Sequence, residues 1–299
     1  MVPKASTPST CRALKSNPSA RDGTWFRQQR ANTLVKTNPI GVFDSGLGGL
    51  TVVRELRRQL PEEAVVYFGD IARLPYGTKS RDQIRRFSLA NAQFLLQKGV
   101  KALVIACNSS SAAAFGLLKR RLAIPVLSVI EPAVEEALQK SRNARIGVIG
   151  TAATIESRVY EDALRKGNSK VQVFSQSCPL FVPLVEEGWL NGGVTDRVIE
   201  KYLKPLRQKK IDTLILGCTH YPILTAGLRA FFGPGVNLVD SAAPTVKKLA
   251  LLLKEKGLLY PYSREPRFQV FTSDKPRNFV KVGERFLGKK LPPVKVVRL

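Results

Sequence analysis

Two strand-like segments of this chain end in the same way, 111 residues apart. Residues 103–107 are LVIAC and residues 214–218 are LILGC, and the triplet IGV occurs at 40–42 and again at 146–148. Apolar strings that repeat in the same order indicate an internal duplication, here with a period of about 105–111 residues. The 299 residues are enough for two units of that size, so we expect two similar domains that each build a core.

Short β-branched apolar segments alternate with amphipathic stretches from residue 38 onward. This alternation is typical of βαβ units around a parallel sheet, and it predicts an α/β fold. The predicted strands form two sets of four: Ile40–Phe43, Ala64–Phe68, Ala102–Ala106 and Val126–Ile130, then Ile146–Ile149, Val171–Ser175, Thr213–Leu216 and Val236–Val239. Helices are predicted between them, for example at Leu50–Gln59, Arg81–Gln97 and Pro132–Lys140.

The predicted architecture is a pair of doubly wound parallel-sheet domains related by a pseudo-twofold axis. Sheets of this kind bind ligands beyond the carboxyl ends of their strands. When two duplicated domains face each other, both sets of strand ends border one cleft. We therefore expect the active site in the cleft between the domains.

The net charge of the chain indicates which classes of macromolecule it could bind. A net charge of +25 favours non-specific adsorption to polyanions. The sequence contains no helix-turn-helix, no zinc-finger spacing and no platform of interleaved aromatic and basic residues, which excludes a dedicated nucleic-acid-binding module. Residues 1–38, which have almost no acidic side chains, are expected to form a basic, disordered extension.

Cysteine usage and hydropathy indicate the compartment. Four cysteines are too few for a disulfide framework in a chain of this length, which favours a reducing cytoplasm. The longest apolar stretch, residues 100–118, is interrupted by Lys101 and by four polar residues at 108–111, so no membrane span is predicted.

Cys107 and Cys218 each end the third strand of one set, so the duplication predicts a symmetric pair of thiols. A lone cysteine at a strand end is usually a small buried hydrophobe. Two thiols on opposite walls of a cleft can instead remove a proton from one face of a carbon and return one to the other face. This chemistry is racemisation or epimerisation, and it requires one thiolate and one thiol.

Candidate partners for the two thiols lie close to them in the predicted topology. Asp44 follows the first strand and could accept or orient the proton of Cys107. His220, the only histidine in the chain, lies two residues after Cys218. Glu186 is a third candidate, although the spacing alone does not separate it from Glu187.

The glycine-rich segment 46–49 has neither the dinucleotide-binding pattern nor the lysine of a phosphate-binding loop. We expect its backbone N–H groups to hold a small carboxylate. Polar side chains suited to the same task are Ser45, Asn108, Ser109 and Thr219. No metal-ligand cluster and no flavin or pyridoxal signature is present in the sequence, so chemistry without a cofactor or metal is predicted.

Six motifs together resemble the glutamate racemase family over residues 38–255. The motifs are FDSG at 43–46 with Gly48-Gly49, YFGD at 67–70, LPYG at 74–77, ACN at 106–108, CP at 178–179 with FVPLVE at 181–186, and GCTHYP at 217–222. The resemblance implies a cofactor-independent, two-base interconversion of L- and D-glutamate that supplies D-glutamate for peptidoglycan.

The resemblance also implies roles for individual residues. Cys107, assisted by Asp44, would act on D-glutamate, and Cys218, assisted by His220 and Glu186, would act on L-glutamate. Substrate contacts would come from Asp44, Ser45, Tyr76, Gly77, Asn108, Ser109, Thr219 and His220. Ser109 departs from the family's usual threonine, but the hydroxyl is retained.

The family's pattern places the end of the chain back on the first domain. The implied domains are 39–135 with 241–299, and 136–240. Family habit implies a homodimer, and contact with DNA or gyrase is an alternative secondary activity because some members inhibit gyrase. An aspartate or hydantoin racemase is the rival enzyme, since one methylene in a pocket is worth only about 1–3 kcal/mol of discrimination.

Overall fold

The computed structural model of the chain describes residues 35–262, 266–275 and 279–299. Its strands are β1 (Ile40–Asp44), β2 (Val65–Gly69), β3 (Ala102–Ile105), β4 (Val126–Ser128), β5 (Arg145–Gly150), β6 (Gln172–Ser177), β7 (Thr213–Gly217), β8 (Asn237–Asp240), β9 (Phe268–Thr272) and β10 (Val294–Val296). Its α-helices are α1 (Leu50–Gln59), α2 (Arg81–Gln97), α3 (Asn108–Arg121), α4 (Ile130–Lys140), α5 (Ala152–Glu156), α6 (Val159–Gly167), α7 (Phe181–Glu187), α8 (Gly193–Gln208), α9 (Thr225–Phe232), α10 (Ala242–Glu255) and α11 (Phe279–Leu287). Short 3₁₀ turns lie at Ile71–Arg73, Tyr76–Thr78 and Tyr221–Leu224.

The strands form two parallel sheets, which define a first and a second lobe. The first sheet has the order β10-β9-β2-β1-β3-β4 and the second has the order β6-β5-β7-β8. Numbered within each half, both sheets contain the same order 2-1-3-4, and every pairing is parallel. The repeated order confirms the α/β fold of two doubly wound sheets that the duplicated sequence predicts.

Burial explains why the central strands are continuous apolar segments. All residues of β1, β2, β3 and β7 are buried, because helices cover both faces of each sheet. In β6, at the edge of the second sheet, no residue is fully buried, and polar side chains such as Gln172 and Gln176 occur there.

Among the differences between the sequence-based boundaries and the structure, two concern the strands of the first sheet. The predicted strand Val126–Ile130 ends earlier, because Ile130 already begins α4. Strands β9 and β10 were not predicted, since they lie outside the duplicated segments and β10 has only three residues. Strand β9 pairs with β2, and this pairing extends the first sheet with the end of the chain.

Two further predictions concern the basic extension and the possibility of a membrane span. Residues 1–34 of the expected basic extension, including Cys11, lie outside the described residues. Within the described ranges, no helix is both long and apolar enough to cross a bilayer.

A buried ion pair lies at the amino-terminal edge of the first sheet. The Nζ atom of Lys101 is 2.6 Å from Oε2 of Glu63, and both side chains are almost completely buried. Lys101 also donates to the carbonyl of Lys36 at 2.7 Å, and Glu63 accepts from the amide of Tyr260 at 2.9 Å. The pair therefore ties residues before β1 and after α10 to the sheet.

We predict that Lys101→Met lowers the free energy of unfolding by about 3–5 kcal/mol, because it leaves the carboxylate of Glu63 buried without its cation. Lys140→Met is the matched control, since Lys140 pairs with Glu136 at the surface and such a pair contributes only about 0–1 kcal/mol. Urea titration of both variants checks the prediction. Equal losses in the two variants would contradict it.

Candidate active site

A cavity of about 400 Å³ lies at the carboxyl ends of strands from both sheets. Loops that follow β1, β3, β5, β6 and β7 contribute to its wall. Among the residues predicted from the sequence, the cavity is lined by Ser45, Tyr76, Gly77, Cys107, Asn108, Ser109, Glu186, Cys218, Thr219 and His220. Both thiols therefore border one cavity, with one thiol contributed by each lobe.

Cys107 occupies the N-cap position of α3. Its Sγ atom accepts from the amide of Ser110 at 3.5 Å and donates to Oγ of Ser45 at 3.6 Å. Burial, followed by the charge of Asp44, raises the pKa of the Cys107 thiol to about 12. Cys107 is therefore a thiol at neutral pH, ready to donate a proton.

Asp44 lies behind the cavity wall rather than on it, since its side chain is completely buried and does not line the cavity, whereas the adjacent Ser45 does. Its Oδ2 atom accepts from the amides of Gly46 and Gly49, at 3.2 and 3.0 Å. Burial raises the pKa of this carboxyl group, against the opposing effects of the charge of His220 and of the backbone hydrogen bonds. Its Oδ1 atom has no hydrogen-bond partner among the described residues.

The glycine-rich segment was predicted to hold a small carboxylate with its backbone N–H groups. Two of these groups, those of Gly46 and Gly49, donate to the carboxylate of Asp44. A further role of the segment is close packing, since a Cβ atom on Gly48 would lie 2.2 Å from Oγ1 of Thr219 and 2.7 Å from Nδ1 of His220. Glycine at 48 lets the first lobe approach the second at the cavity.

Cys218, His220 and Glu186 form a connected group in the second lobe. Nδ1 of His220 is 4.0 Å from Sγ of Cys218, and Nε2 is 3.1 Å from Oε1 of Glu186. Burial disfavours the charged imidazole, but hydrogen bonds and charges of Cys218 and Glu186 outweigh it and raise the pKa of His220 to about 10. The structure thus separates Glu186 from Glu187, which the spacing left equivalent.

The other predicted contact residues differ in which atoms they present. The hydroxyl group of Tyr76 donates to Asp70 and accepts from Asn91, so only the ring and backbone of Tyr76 can face the cavity. Oδ1 of Asn108 accepts from Tyr160 at 2.6 Å, whereas its buried Nδ2 has no partner among the described residues. That amide nitrogen remains able to donate to a bound carboxylate.

Ser109 joins the two lobes across the cavity. Its Oγ atom is 2.9 Å from Oγ1 of Thr151, which follows β5. A Cβ atom on Gly77 would lie 2.6 Å from Cβ of the same threonine, so glycine is required for this approach.

Several residues of the cavity wall were not identified from the sequence. They are Leu74, Pro75, Thr78, Thr151, Ala152, Pro179, Val182 and Pro183. Glu187, which the spacing left as the alternative to Glu186, also lines the cavity. Thr151 was detectable in principle, because it directly follows β5, the first strand of the second half, just as Ser45 directly follows β1. Leu74, Pro75, Pro179, Val182 and Pro183 lie within motifs that carry the family resemblance. Their contact with the cavity could not be predicted, since it depends on how the lobes meet.

The described part of the chain contains no group of three or more His, Cys, Asp or Glu side chains arranged to hold a metal ion. Its three cysteines, Cys107, Cys178 and Cys218, are buried and free.

Comparisons with known proteins agree with this geometry. A family model described as Asp/Glu/hydantoin racemase matches residues 40–249. The chain is 48% identical over 260 residues to the glutamate racemase of Geobacter metallireducens, an alignment that covers 87% of this chain and 96% of that protein.

Two solved structures show the same fold over nearly their whole length. The glutamate racemase of Francisella tularensis in complex with D-glutamate has a TM-score of 0.83 and 41% identity, covering 88% of this chain and 98% of that one. A glutamate racemase isoform from Bacillus anthracis has a TM-score of 0.85 and 39% identity, with the same coverage. With its duplicated sheets, its two facing thiols and these matches, the chain belongs to the Asp/Glu/hydantoin racemase family.

Proposed function

We propose that this protein is a glutamate racemase that interconverts L- and D-glutamate with two cysteine bases and no cofactor. The observation that carries the proposal is the single cavity bordered by Cys107 from one lobe and Cys218 from the other. D-glutamate is the product required for peptidoglycan synthesis. The names of the relatives and of the D-glutamate complex support glutamate as the substrate.

The proposed reaction moves two protons. The thiolate of one cysteine removes the proton from Cα of glutamate, and the electron pair left on carbon is delocalised into the α-carboxylate. The thiol of the other cysteine then donates its proton to the opposite face of the same carbon. The configuration inverts, and the two cysteines end the turnover with exchanged protonation states.

Cys218 is proposed to act on L-glutamate. His220 is protonated at neutral pH because its pKa is raised to about 10. An imidazolium group next to a sulfur favours the thiolate form of that sulfur. Glu186 in turn accepts from Nε2 of His220 and holds the ring toward Cys218.

Cys107 is proposed to act on D-glutamate. Its raised pKa suits the donor role when L-glutamate is the substrate. For the reverse direction it must lose its proton, and Asp44 is the nearby carboxyl group whose pKa burial raises toward the range in which it can accept one. Ser45 accepts a hydrogen bond from the thiol and orients it.

Substrate binding is proposed to use short polar groups on both walls. Ser45, Asn108 and Ser109 would contact the substrate from the first lobe and Thr219 from the second, with backbone groups of Tyr76 and Gly77. The unpartnered Nδ2 atom of Asn108 supports a carboxylate contact there. Asp44 would act on the substrate chiefly through Cys107, because its side chain is completely buried, whereas His220 lines the cavity and would contact the substrate directly.

The proposal extends to the organisation of the protein. The domains are residues 39–135 with 241–299, and 136–240, which the pairing of β9 with β2 supports. We further propose that the protein is a homodimer and that it is located in the cytoplasm. The free thiols of the described residues support the location. Non-specific DNA or gyrase contact would depend on the charge of +25.

We predict that Cys107→Ser and Cys218→Ser each reduce racemisation by at least ~10³-fold, because each removes one of the two proton-transfer groups. The measurement follows loss of circular dichroism from L-glutamate and α-deuterium incorporation by NMR in D₂O. Cys178→Ala is the matched control, since Cys178 is buried in the second lobe but does not line the cavity. If the wild-type protein is inactive on glutamate but racemises aspartate or a hydantoin, the result would favour the rival enzyme.

We predict that Gly48→Ala lowers kcat/KM on the order of 100-fold, because the new methyl group displaces Thr219 and His220 from their positions at the cavity. Gly116→Ala is the control, since a Cβ atom there would meet only the end of the Arg120 side chain at 3.4 Å. Steady-state kinetics on both variants provides the check. Wild-type kinetics for Gly48→Ala would show that the close approach of the lobes is not needed.

We predict that kcat/KM falls as the pH rises through about 10, because His220 then loses the proton that stabilises the thiolate of Cys218. Glu186→Gln removes a charge that raises the pKa of His220, so the fall should occur at lower pH in this variant. The amine of the substrate titrates identically in both proteins and does not affect the difference. Superimposable pH profiles would refute the role of Glu186.

A further inference from the structure

Helix α11 is the last helix of the chain and packs on α1 of the first lobe. Val282 and Phe286 are buried in the same apolar cluster as Leu50 and Val53 of α1. A Cβ atom on Gly283 would lie 3.4 Å from Cδ1 of Leu50, so the two helices are in close contact. Although it belongs to the first lobe, α11 also reaches the acid–base group of the second.

Phe286 contacts the imidazole ring of His220. The two ring centroids are 5.0 Å apart with an interplanar angle of 74°, an edge-to-face arrangement. Phe286 is completely buried, so its own ring cannot reorient freely. Contact with a fixed ring restricts the rotation of His220 and keeps both of its nitrogen atoms directed at Cys218 and Glu186.

Arg285 contacts the end of the helix that carries Glu186. Its Nη1 atom donates to the carbonyl of Val185 at 3.0 Å. A Cβ atom on Gly188, which has φ +81° and follows the last residue of α7, would lie 3.0 Å from Nη2 of Arg285. The guanidinium group therefore lies on the carboxyl end of α7, where a positive charge is favourable and where it adds a second donor to the carbonyl of Val185, beside the amide of Gly188.

We propose that Phe286 and Arg285 are positioning residues that hold His220 and Glu186 in line with Cys218. The proposal rests on the two-base reaction proposed above and assigns the first lobe a second role in that reaction. Besides contributing Cys107, it orients the acid–base partners of the opposite thiol. Neither residue touches the cavity.

Kinetic isotope effects distinguish positioning from general damage. Because the equilibrium constant of a racemase is 1, kcat/KM must be equal in the two directions, and any loss of it appears in both. A variant that slows only proton transfer at Cys218 makes that step more rate-limiting. The primary deuterium isotope effect on kcat/KM then rises for L-glutamate and falls for D-glutamate.

The variants for the test are Phe286→Leu and Arg285→Met, which retain apolar volume and remove the ring and the charged donor. Phe279→Leu is the control for Phe286→Leu, because Phe279 is also buried on α11, two helical turns earlier. Lys281→Met, on an exposed position of the same helix, is the control for Arg285→Met. We expect kcat/KM to fall ~10-fold in the two test variants and the isotope effects to separate as described.

Histidine NMR supplies a readout that does not need activity, since His220 is the only histidine of the chain. We expect the pKa of His220 to fall in both test variants, because its hydrogen bond to Glu186 is weakened. Loss of the Arg285 charge alone would raise that pKa, so a fall identifies lost positioning. The titratable and charged groups near His220 are Cys218, Glu186, Asp44, Glu187 and Arg285.

The outcomes separate the two proposals. Wild-type isotope effects and an unchanged pKa of His220 in both test variants would overturn the positioning role, as would equal changes in the controls. A wild-type protein that does not racemise glutamate would overturn the proposed function. In that case a fall in the pKa of His220, seen only in the test variants, would still establish that α11 positions His220.

Discussion

The parallel pairing at the centre of each sheet is the constraint on which the site depends. Strands β1 and β3 run side by side in the first sheet, and β5 and β7 do so in the second. Parallel strands end at the same edge of the sheet, so the strand pairing alone brings together the residues that follow neighbouring strands. Ser45 meets Cys107 for this reason. An antiparallel partner at either position would have placed one of these groups at the far end of the sheet.

Duplication provides two equivalent thiols, but their surroundings are not equivalent. Cys107 is buried beside a carboxylate, and both effects oppose its ionisation. Cys218 lies beside an imidazole that Glu186 helps to keep protonated. The reaction proposed for this cavity needs one thiol and one thiolate at its start. Two thiols in identical surroundings could not meet this requirement, whereas the electrostatic difference between the lobes does.

Close contacts between the lobes determine the dimensions of the cavity. Gly48 approaches Thr219, Gly77 approaches Thr151, and Ser109 bonds to the same threonine. Each contact uses a glycine or a small hydroxyl side chain, since larger groups would keep the lobes apart. Helix α11 adds Phe286 and Arg285 to this interface. Several of the residues in contact between the lobes, among them Thr219, Thr151 and Ser109, therefore also line the cavity.

The sequence by itself determined the α/β class, the eight strands of the duplication and the pair of cysteines, because apolar periodicity and repeated strings are properties of neighbouring residues. The family resemblance further indicated Asp44, Glu186 and His220. Only the tertiary structure decided that Asp44 lies behind the wall, that Glu186 and not Glu187 bonds to His220, and that α11 contacts this pair. These facts depend on contacts between residues far apart in the chain, as between Phe286 and His220, and no local pattern encodes such a distance.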